Sequence, residues 1–162
     1  MPTITAAPVR YRIVPIRAEF LTRIRAGIDD QGQSVERLAA RGGEPLRDCL
    51  RRAAPGEPIL LASHTPMALA GPYKEYGAVF VAAQPQPAPR TDVLPFDGER
   101  PYLGARFVLR AHGRDEHILD AALATPQSAE ATLHAFFGRD DVAFVDVRFT
   151  PNGCYALRLV RD

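Results

Sequence analysis

The chain has 162 residues, of which 46% are hydrophobic and 24% charged, and its 20 basic and 19 acidic side chains leave a formal charge of +1. This length suits one domain, the balanced charge disfavours nucleic-acid binding, and no apolar run is long enough to span a bilayer. Residues 1–9 lack the basic start and the hydrophobic stretch of a secretory signal. The sequence therefore predicts a soluble cytoplasmic protein with a flexible tail over residues 1–9 and a single domain over residues 10–162.

The first half of the chain alternates between strand and helix patterns. Arg10–Ile16 has the alternation of a strand, and Arg17–Ile28 has apolar residues at helical spacing. A second helix is predicted over Pro45–Ala53, because a proline suits the first helical position and the apolar residues would share one face. The uncharged run Ile59–Ala62 then indicates a central strand that ends near His64.

The next segment, Gly71–Ala83, combines a glycine-punctuated polar turn with a short apolar run. This pattern is typical of a turn that leads into a strand buried on both faces. Gln84–Pro101 has five prolines and no periodicity, which predicts a long proline-rich loop. Tyr102–Arg110 and Glu116–Leu123 have the pattern of a hairpin, and a third helix is predicted over Thr125–Phe137, before a terminating glycine.

The C-terminal segment has the strongest pattern. Val142–Thr150 and Cys154–Arg161 flank Pro151-Asn152-Gly153, which suits a three-residue hairpin loop. This loop sets a register that brings the apolar residues together on one face, with the pairs Val145–Leu159, Val147–Leu157 and Phe149–Tyr155. The opposite face then carries a polar set, namely Asp146, Arg148, Cys154 and Arg158.

Together these elements predict a single α+β domain, with a mainly antiparallel sheet of about seven strands and two or three helices packed largely on one side. We expect a pocket between the Gly71–Gly77 turn and the C-terminal hairpin, because polar groups at the end of a buried strand often form small-molecule sites. The residues predicted to bind a ligand there are Tyr73, Glu75, Asp146, Arg148 and Arg158.

Two interpretations of the polar face of the hairpin stay open. If the face is exposed, Asp146 and Arg158 form a surface ion pair that contributes under about 1 kcal/mol. If a helix or the proline-rich loop covers it, the arginines and Cys154 would line a polar pocket suited to an anion, because guanidinium groups bind carboxylate and phosphate in a paired geometry.

A cysteine-dependent enzyme is an alternative hypothesis, in which Cys154 or Cys49 acts as nucleophile with His64 as its base. Cys49 lies on the apolar face of the predicted second helix, which favours core packing. His64, at a strand end, is the best placed of the four histidines. The histidines lack metal-site spacing, and no dinucleotide-binding or phosphate-binding loop occurs, so no metal is predicted and no cofactor is indicated.

A series of short motifs runs through nearly the whole chain: Arg12-Ile13-Val14-Pro15-Ile16, Pro45-Leu46-Arg47-Asp48-Cys49-Leu50, Pro55-Gly56-Glu57-Pro58-Ile59-Leu60-Leu61, Gly71-Pro72-Tyr73 with Val79-Phe80-Val81, and Gly153-Cys154-Tyr155. In this order they resemble the bacterial family catalogued as domain of unknown function 1203. The pattern of that family usually has a cysteine at the position of Leu46, and a histidine and a further cysteine at the positions of Ala82 and Pro85. The resemblance thus implies that a metal or thiol site built from those residues is not intact here. It also implies a bacterial cytoplasmic protein, and it supplies no reaction.

The leading hypothesis from the sequence is a protein that binds a small anionic molecule or acts as an accessory domain. The cysteine-dependent enzyme is the first alternative. A structural homodimer, formed through an edge strand or an exposed sheet face, is the second.

Overall fold

The computed structural model describes residues 9–162, in which two short helices and ten strands occur. Residues 1–8, which make up most of the predicted tail, lie outside the described residues. The helices are α1 (Ala18–Arg25) and α2 (Ala129–Phe137). The strands are β1 (Tyr11–Val14), β2 (Glu36–Ala39), β3 (Pro45–Leu46), β4 (Arg51–Arg52), β5 (Pro58–His64), β6 (Gly77–Ala82), β7 (Phe107–His112), β8 (Ile118–Ala124), β9 (Phe144–Phe149) and β10 (Tyr155–Arg161).

The strands form two sheets of five. Sheet I has the order β1-β10-β9-β7-β8, and sheet II has the order β2-β5-β6-β3-β4. Neighbouring strands are antiparallel except for β3 and β6, which are parallel. The predicted α+β class, with helices packed on one mainly antiparallel sheet, is therefore wrong. The described chain is mostly β, and its helices have only 8 and 9 residues.

The predicted helix over Pro45–Ala53 accounts for part of this error. The segment forms the short strands β3 and β4 with a turn between them, and Leu46 of β3 pairs with Phe80 of β6. Leu50 in the turn has a φ of 53°, in the left-handed region that a right-handed helix does not contain. The apolar spacing that suggested a helix comes instead from inward-packing side chains of β3 and of the turn after it: Leu46 is fully buried, and Cys49 and Leu50 pack against the core.

The other two predicted helices are confirmed in shorter form. α1 buries Phe20 and Ile24 against sheet II, beside Leu60 and Val79. α2 buries an apolar face that includes Leu133 in the core of sheet I. Each fully buried side chain of this size contributes about 1.5–3 kcal/mol. One helix therefore stabilises each sheet.

The C-terminal hairpin, β9 and β10, has the predicted register over most of its length. The observed pairs include Val145–Leu159, Asp146–Arg158 and Val147–Leu157. The predicted pair Phe149–Tyr155 is wrong, because Tyr155 lies opposite Arg148 and the register shifts between Tyr155 and Leu157. This β-bulge places one extra residue, Ala156, in β10. Such bulges change the direction in which the neighbouring side chains point.

Two side chains distant in sequence hydrogen-bond to the bulge. Arg47 Nε donates to the Tyr155 carbonyl oxygen at 2.9 Å, and Tyr102 Oη donates to the Ala156 carbonyl oxygen at 2.7 Å. Arg47 directly follows β3 of sheet II, whereas Tyr102 lies in the connection between β6 and β7, after the helix-free and strand-free segment Gln84–Pro101. The bulge is thus a point at which sheet II and this connection attach to sheet I.

Candidate functional site

The polar face of the C-terminal hairpin is buried. Asp146 is completely inaccessible, and Arg148 is 7% exposed. The cover is the segment Thr65–Tyr76 between β5 and β6, rather than a helix or the proline-rich loop: Met67 Sδ lies 3.9 Å from Arg158, and Glu75 forms an ion pair with Arg148. Of the two interpretations, the covered face is therefore the one observed. The segment that covers it is neither a helix nor the proline-rich loop.

Asp146 and Arg158, two of the predicted ligand-binding residues, satisfy each other in the interior. Arg158 Nε and Nη2 donate to the two carboxylate oxygens of Asp146 at 2.7 and 2.9 Å. The guanidinium also lies 3.8 Å from the centroid of the Phe144 ring. His112 stacks on the same ring and is fully buried, with Nδ1 2.9 Å from the Glu116 carbonyl oxygen. This cluster braces the sheet, and Asp146 is inaccessible to a ligand because it is completely buried.

A cavity of about 210 Å³, which we call the hairpin cavity, lies beside this cluster. It is bounded by the end of β5, by the Glu75–Gly77 turn and by the loop between β9 and β10. Its lining includes His64, Glu75, Tyr76, Arg148, Cys154 and Tyr155. Among the described residues that line it, Glu75 and Arg148 are the ones with a carboxylate or a guanidinium group.

Arg148 is held rigidly at the wall of the hairpin cavity. Its Nη1 donates to the Gly153 carbonyl oxygen at 2.9 Å, and its Nη2 pairs with Glu75. Its Nε is buried and has no hydrogen-bond partner among the described residues. Burial lowers the pKa of Arg148, and the nearby Arg110 adds to this effect whereas Glu75 opposes it. An arginine stays charged at neutral pH despite such a shift, so the cavity wall carries a cation with an unsatisfied donor.

Glu75 differs from Arg148 in being mostly accessible. Its side chain is 51% exposed, and it bridges Arg148 and Arg110, with 3.4 Å between its Oε1 and Arg110 Nη1. Tyr73, two residues earlier, lies outside the cavity lining and packs against His117 with 5.0 Å between ring centroids. Of the five residues predicted to bind a ligand, the fold thus brings Glu75 and Arg148 together at the cavity.

His64 contributes a buried imidazole to the hairpin cavity. Its side chain is 3% exposed and lies between Phe20 and Tyr155, whose rings are 4.4 and 5.6 Å away. Nδ1 lies 3.0 Å from Oδ2 of Asp30, which also accepts from the Thr65 backbone N–H at 2.9 Å. Asp30 further pairs with two arginines of the α1 region, Arg17 and Arg23. Asp30 therefore fixes the orientation of the imidazole.

The pKa shifts of this pair settle the charge of both groups. Burial raises the pKa of Asp30, but the Thr65 N–H and the Arg17 guanidinium outweigh it and hold the pKa below its ordinary value. Burial lowers the pKa of His64 to about 4, although Asp30 opposes this effect. At neutral pH the carboxylate is ionised and the imidazole is neutral. Because an ionised carboxylate only accepts, Nδ1 carries the imidazole proton and Nε2 carries the lone pair.

Cys154 is a free, half-buried thiol in the same cavity lining. Burial lowers the pKa of Arg47, and the Tyr102 phenol and the Cys154 thiol both act against that shift. This coupling places the thiol within electrostatic reach of the buried Arg47 guanidinium.

Cys49, the other predicted nucleophile, lies elsewhere. It lines a separate cavity of about 230 Å³ under the proline-rich loop. Burial raises the pKa of its thiol to about 12. Leu46 and Ala82, two positions where the family resemblance implied a cysteine and a histidine, belong to a buried apolar cluster against which Cys49 packs. The residues present there do not fit a metal or a reactive thiol site.

Sequence reasoning missed two residues that shape the hairpin cavity. Asp30 follows the segment predicted as the first helix, and Arg47 lies in the segment Pro45–Ala53 that was predicted as a helix and does not form one. Asp30 is 34 residues from His64 and Arg47 is 108 residues from Tyr155. No local pattern indicates such contacts. The one available signal was the presence of two consecutive aspartates, Asp29 and Asp30, directly after a helical segment.

Two classes of site are not found among residues 9–162. No group of three histidine, cysteine, aspartate or glutamate side chains there is arranged to hold a metal ion. Neither helix within this range has the length and apolar character needed to cross a membrane.

Fold and cavity together define a protein of two five-stranded sheets with a small polar cavity at the loop of its C-terminal hairpin. A family model described as "Protein of unknown function (DUF1203)" matches residues 43–161, and the chain belongs to this family. The resemblance found from the sequence motifs is thereby confirmed over residues 43–161, a range that does not include the motif Arg12–Ile16. Comparisons with curated proteins and with solved structures gave no match.

Proposed function

We propose that the chain binds a small anion, a carboxylate or phosphate metabolite, in the hairpin cavity. The observation that carries the proposal is that only one of two neighbouring donors of the Arg148 guanidinium, Nη2, has a partner, whereas Nε has none among the described residues. Nε and Nη2 form the edge with which an arginine binds a carboxylate through two parallel hydrogen bonds. Arg158 binds Asp146 in this way. On Arg148, Glu75 occupies Nη2 and leaves Nε without a partner.

Glu75 is suited to be displaced by such a ligand. It lies in the turn-rich segment before β6 and has a half-exposed side chain, whereas Arg148 is fixed in the sheet and nearly inaccessible. An anion that took its place would satisfy both Nε and Nη2, and a buried donor that gains a partner is stabilised. Arg110, whose Nη1 lies 3.4 Å from Glu75 Oε1, adds a second positive charge beside Glu75.

The size of the cavity limits the ligand. Sites for drug-sized molecules occupy about 300–1,000 Å³, whereas the hairpin cavity has about 210 Å³. We therefore expect a compact ligand of few heavy atoms, with the anionic group at Arg148 and the remainder between Tyr76 and Tyr155.

A thermal-shift titration with succinate and with inorganic phosphate tests this proposal. A ligand at a hundred times its Kd adds about 2.7 kcal/mol to the stability of the folded state, so the melting temperature of the wild type should rise by several degrees. Arg148→Gln should abolish the rise. Arg90→Gln is the matched control, because Arg90 pairs only with the exposed Asp92 away from the cavity.

Glu75→Gln gives the sharper result, since Glu75 is exposed and its replacement leaves the core intact. Removing the competing carboxylate should shift the titration midpoint of the anion to a lower concentration. An unchanged or raised midpoint in Glu75→Gln, or an equal response of Arg148→Gln and Arg90→Gln, would contradict anion binding at Arg148.

A further inference from the structure

The hairpin cavity holds a base that anion binding does not use. Nδ1 of His64 is bound to Asp30, whereas Nε2 makes none of the hydrogen bonds found among residues 9–162. His64 lines the hairpin cavity, and its Nε2, unlike the Nε2 of His112, is not fully buried. The ring therefore presents its unprotonated side to the hairpin cavity. An aspartate that orients a histidine in this way is half of the arrangement that activates nucleophiles.

A nucleophile lies in the wall of the same cavity. Cys154 directly precedes Tyr155, whose ring is 5.6 Å from the His64 ring, and both residues line the cavity together with His64. A sphere of about 210 Å³ is about 7 Å across, so small groups on its wall are within reach of one bound molecule. Arg148 lines the same cavity.

We propose that Cys154 is a nucleophile whose proton His64 accepts, and that the chain hydrolyses small esters or thioesters whose acyl part carries a carboxylate. The thiol proton passes to His64 Nε2 as Sγ forms a bond to the acyl carbonyl carbon. The bond from that carbon to the leaving group breaks, and the leaving group takes the proton from His64. Water then gives a proton to His64 and attacks the acyl-cysteine, the carbon–sulfur bond breaks, and the sulfur recovers its proton.

The acyl carboxylate in this proposal rests on the proposed function, since it is the group that Arg148 would hold. The thiol chemistry itself does not depend on it. A neutral ester can react with Cys154 without using Arg148, and this difference allows the two proposals to fail separately.

Two activated esters test the proposal: mono-4-nitrophenyl succinate, which is anionic, and 4-nitrophenyl acetate, which is neutral. Stopped-flow absorbance should show a burst of one 4-nitrophenolate per chain, faster than acylation of free cysteine, and intact-protein mass spectrometry should find the acyl group on Cys154. Cys154→Ser should lose the burst. Cys49→Ser is the matched control and should keep it, because the high pKa of Cys49 leaves that thiol unreactive at neutral pH.

The role of His64 has its own readout. His64→Gln should slow acylation by about a hundredfold or more, the range of general-base effects. Acylation of Cys154 in the wild type at the rate of free cysteine would overturn the proposal even where a variant folds poorly, and so would an unchanged acylation rate in a folded His64→Gln.

The remaining outcomes separate the two hypotheses. A Cys154 burst with both esters, and a preference for the succinyl ester that Arg148→Gln reduces about tenfold, would support both. A burst without that preference would support the nucleophile and contradict anion binding at Arg148. The absence of any burst, while succinate still raises the melting temperature of the wild type, would overturn the nucleophile and leave anion binding standing.

Discussion

Acid should weaken the folded chain, because His64 is buried as a neutral imidazole. Burial lowers its pKa from the ordinary 6.5 to about 4, against the opposing effect of Asp30. Below pH 6.5 the unfolded chain takes up a proton at this residue and the folded chain does not, so stability falls as the pH falls. The two pKa values differ by about 2.5, which corresponds to about 3 kcal/mol; this contribution is fully present above pH 6.5 and is lost once the pH passes below about 4.

Urea unfolding between pH 7 and pH 4 measures this contribution, and circular dichroism is the suitable signal because the chain has no tryptophan. His64→Gln, which cannot take up a proton, should lose about 3 kcal/mol less than the wild type over this range. His112 is also buried, and burial lowers its pKa too, so part of the slope should remain in His64→Gln and become smaller in the double variant with His112→Gln. Asp30 and Glu57, whose pKa values in the folded chain lie below their ordinary values, add their own loss of stability as the pH approaches 4.

Equal pH slopes in the wild type and in His64→Gln would refute this reasoning. So would an NMR titration in which the His64 ring of the folded chain gains its proton near pH 6.5. Either result would mean that the imidazole is charged at mildly acidic pH and that its Nε2 is not a free base in the cavity.

Two further predictions concern stability. Asp146→Ala should lower the free energy of unfolding by about 3 kcal/mol, because it leaves the guanidinium of Arg158 without its partner in the interior; a loss below 1 kcal/mol in urea unfolding would mean that the pair is effectively solvated. Gly42→Ala should cost about 1–3 kcal/mol, because Gly42 has a φ of 108° and an added Cβ would lie 2.9 Å from Pro55. The same change at Gly71, where an added Cβ would meet no atom within 4 Å, should be nearly neutral. Equal melting temperatures of the two variants would argue against strain at Gly42.

The C-terminal hairpin was predictable because its information is local. Strict alternation and the Pro151-Asn152-Gly153 loop determine which residues share a face, and the observed pairs Val145–Leu159 and Asp146–Arg158 agree with them. Arg148 and Cys154 were singled out for this reason. The bulge between Tyr155 and Leu157 was not predictable in this way, because its hydrogen-bond partners come from distant parts of the chain.

Sheet II was largely missed because its outer strands have no local pattern. Every residue of β2, Glu36–Ala39, is exposed, so no alternation of apolar and polar residues marks this edge strand. β3 and β4 have two residues each, and the apolar spacing around them fits a helix as well as a turn. Their pairing is decided by β6, more than thirty residues later. Single-sequence patterns do not contain that information.

The bulge in β10 ties the assembly of the cavity to the completion of the whole fold. An isolated β9–β10 segment would have neither Arg47 nor Tyr102 to bond the carbonyl oxygens of Tyr155 and Ala156, and the regular register, with Phe149 opposite Tyr155, would be the natural one for a free peptide. The native register becomes favourable when sheet II and the connection before β7 are in place. During folding, the hairpin can thus pair early through Val145 and Val147, while the end that bears Cys154 takes its final shape in a late step that closes long chain loops.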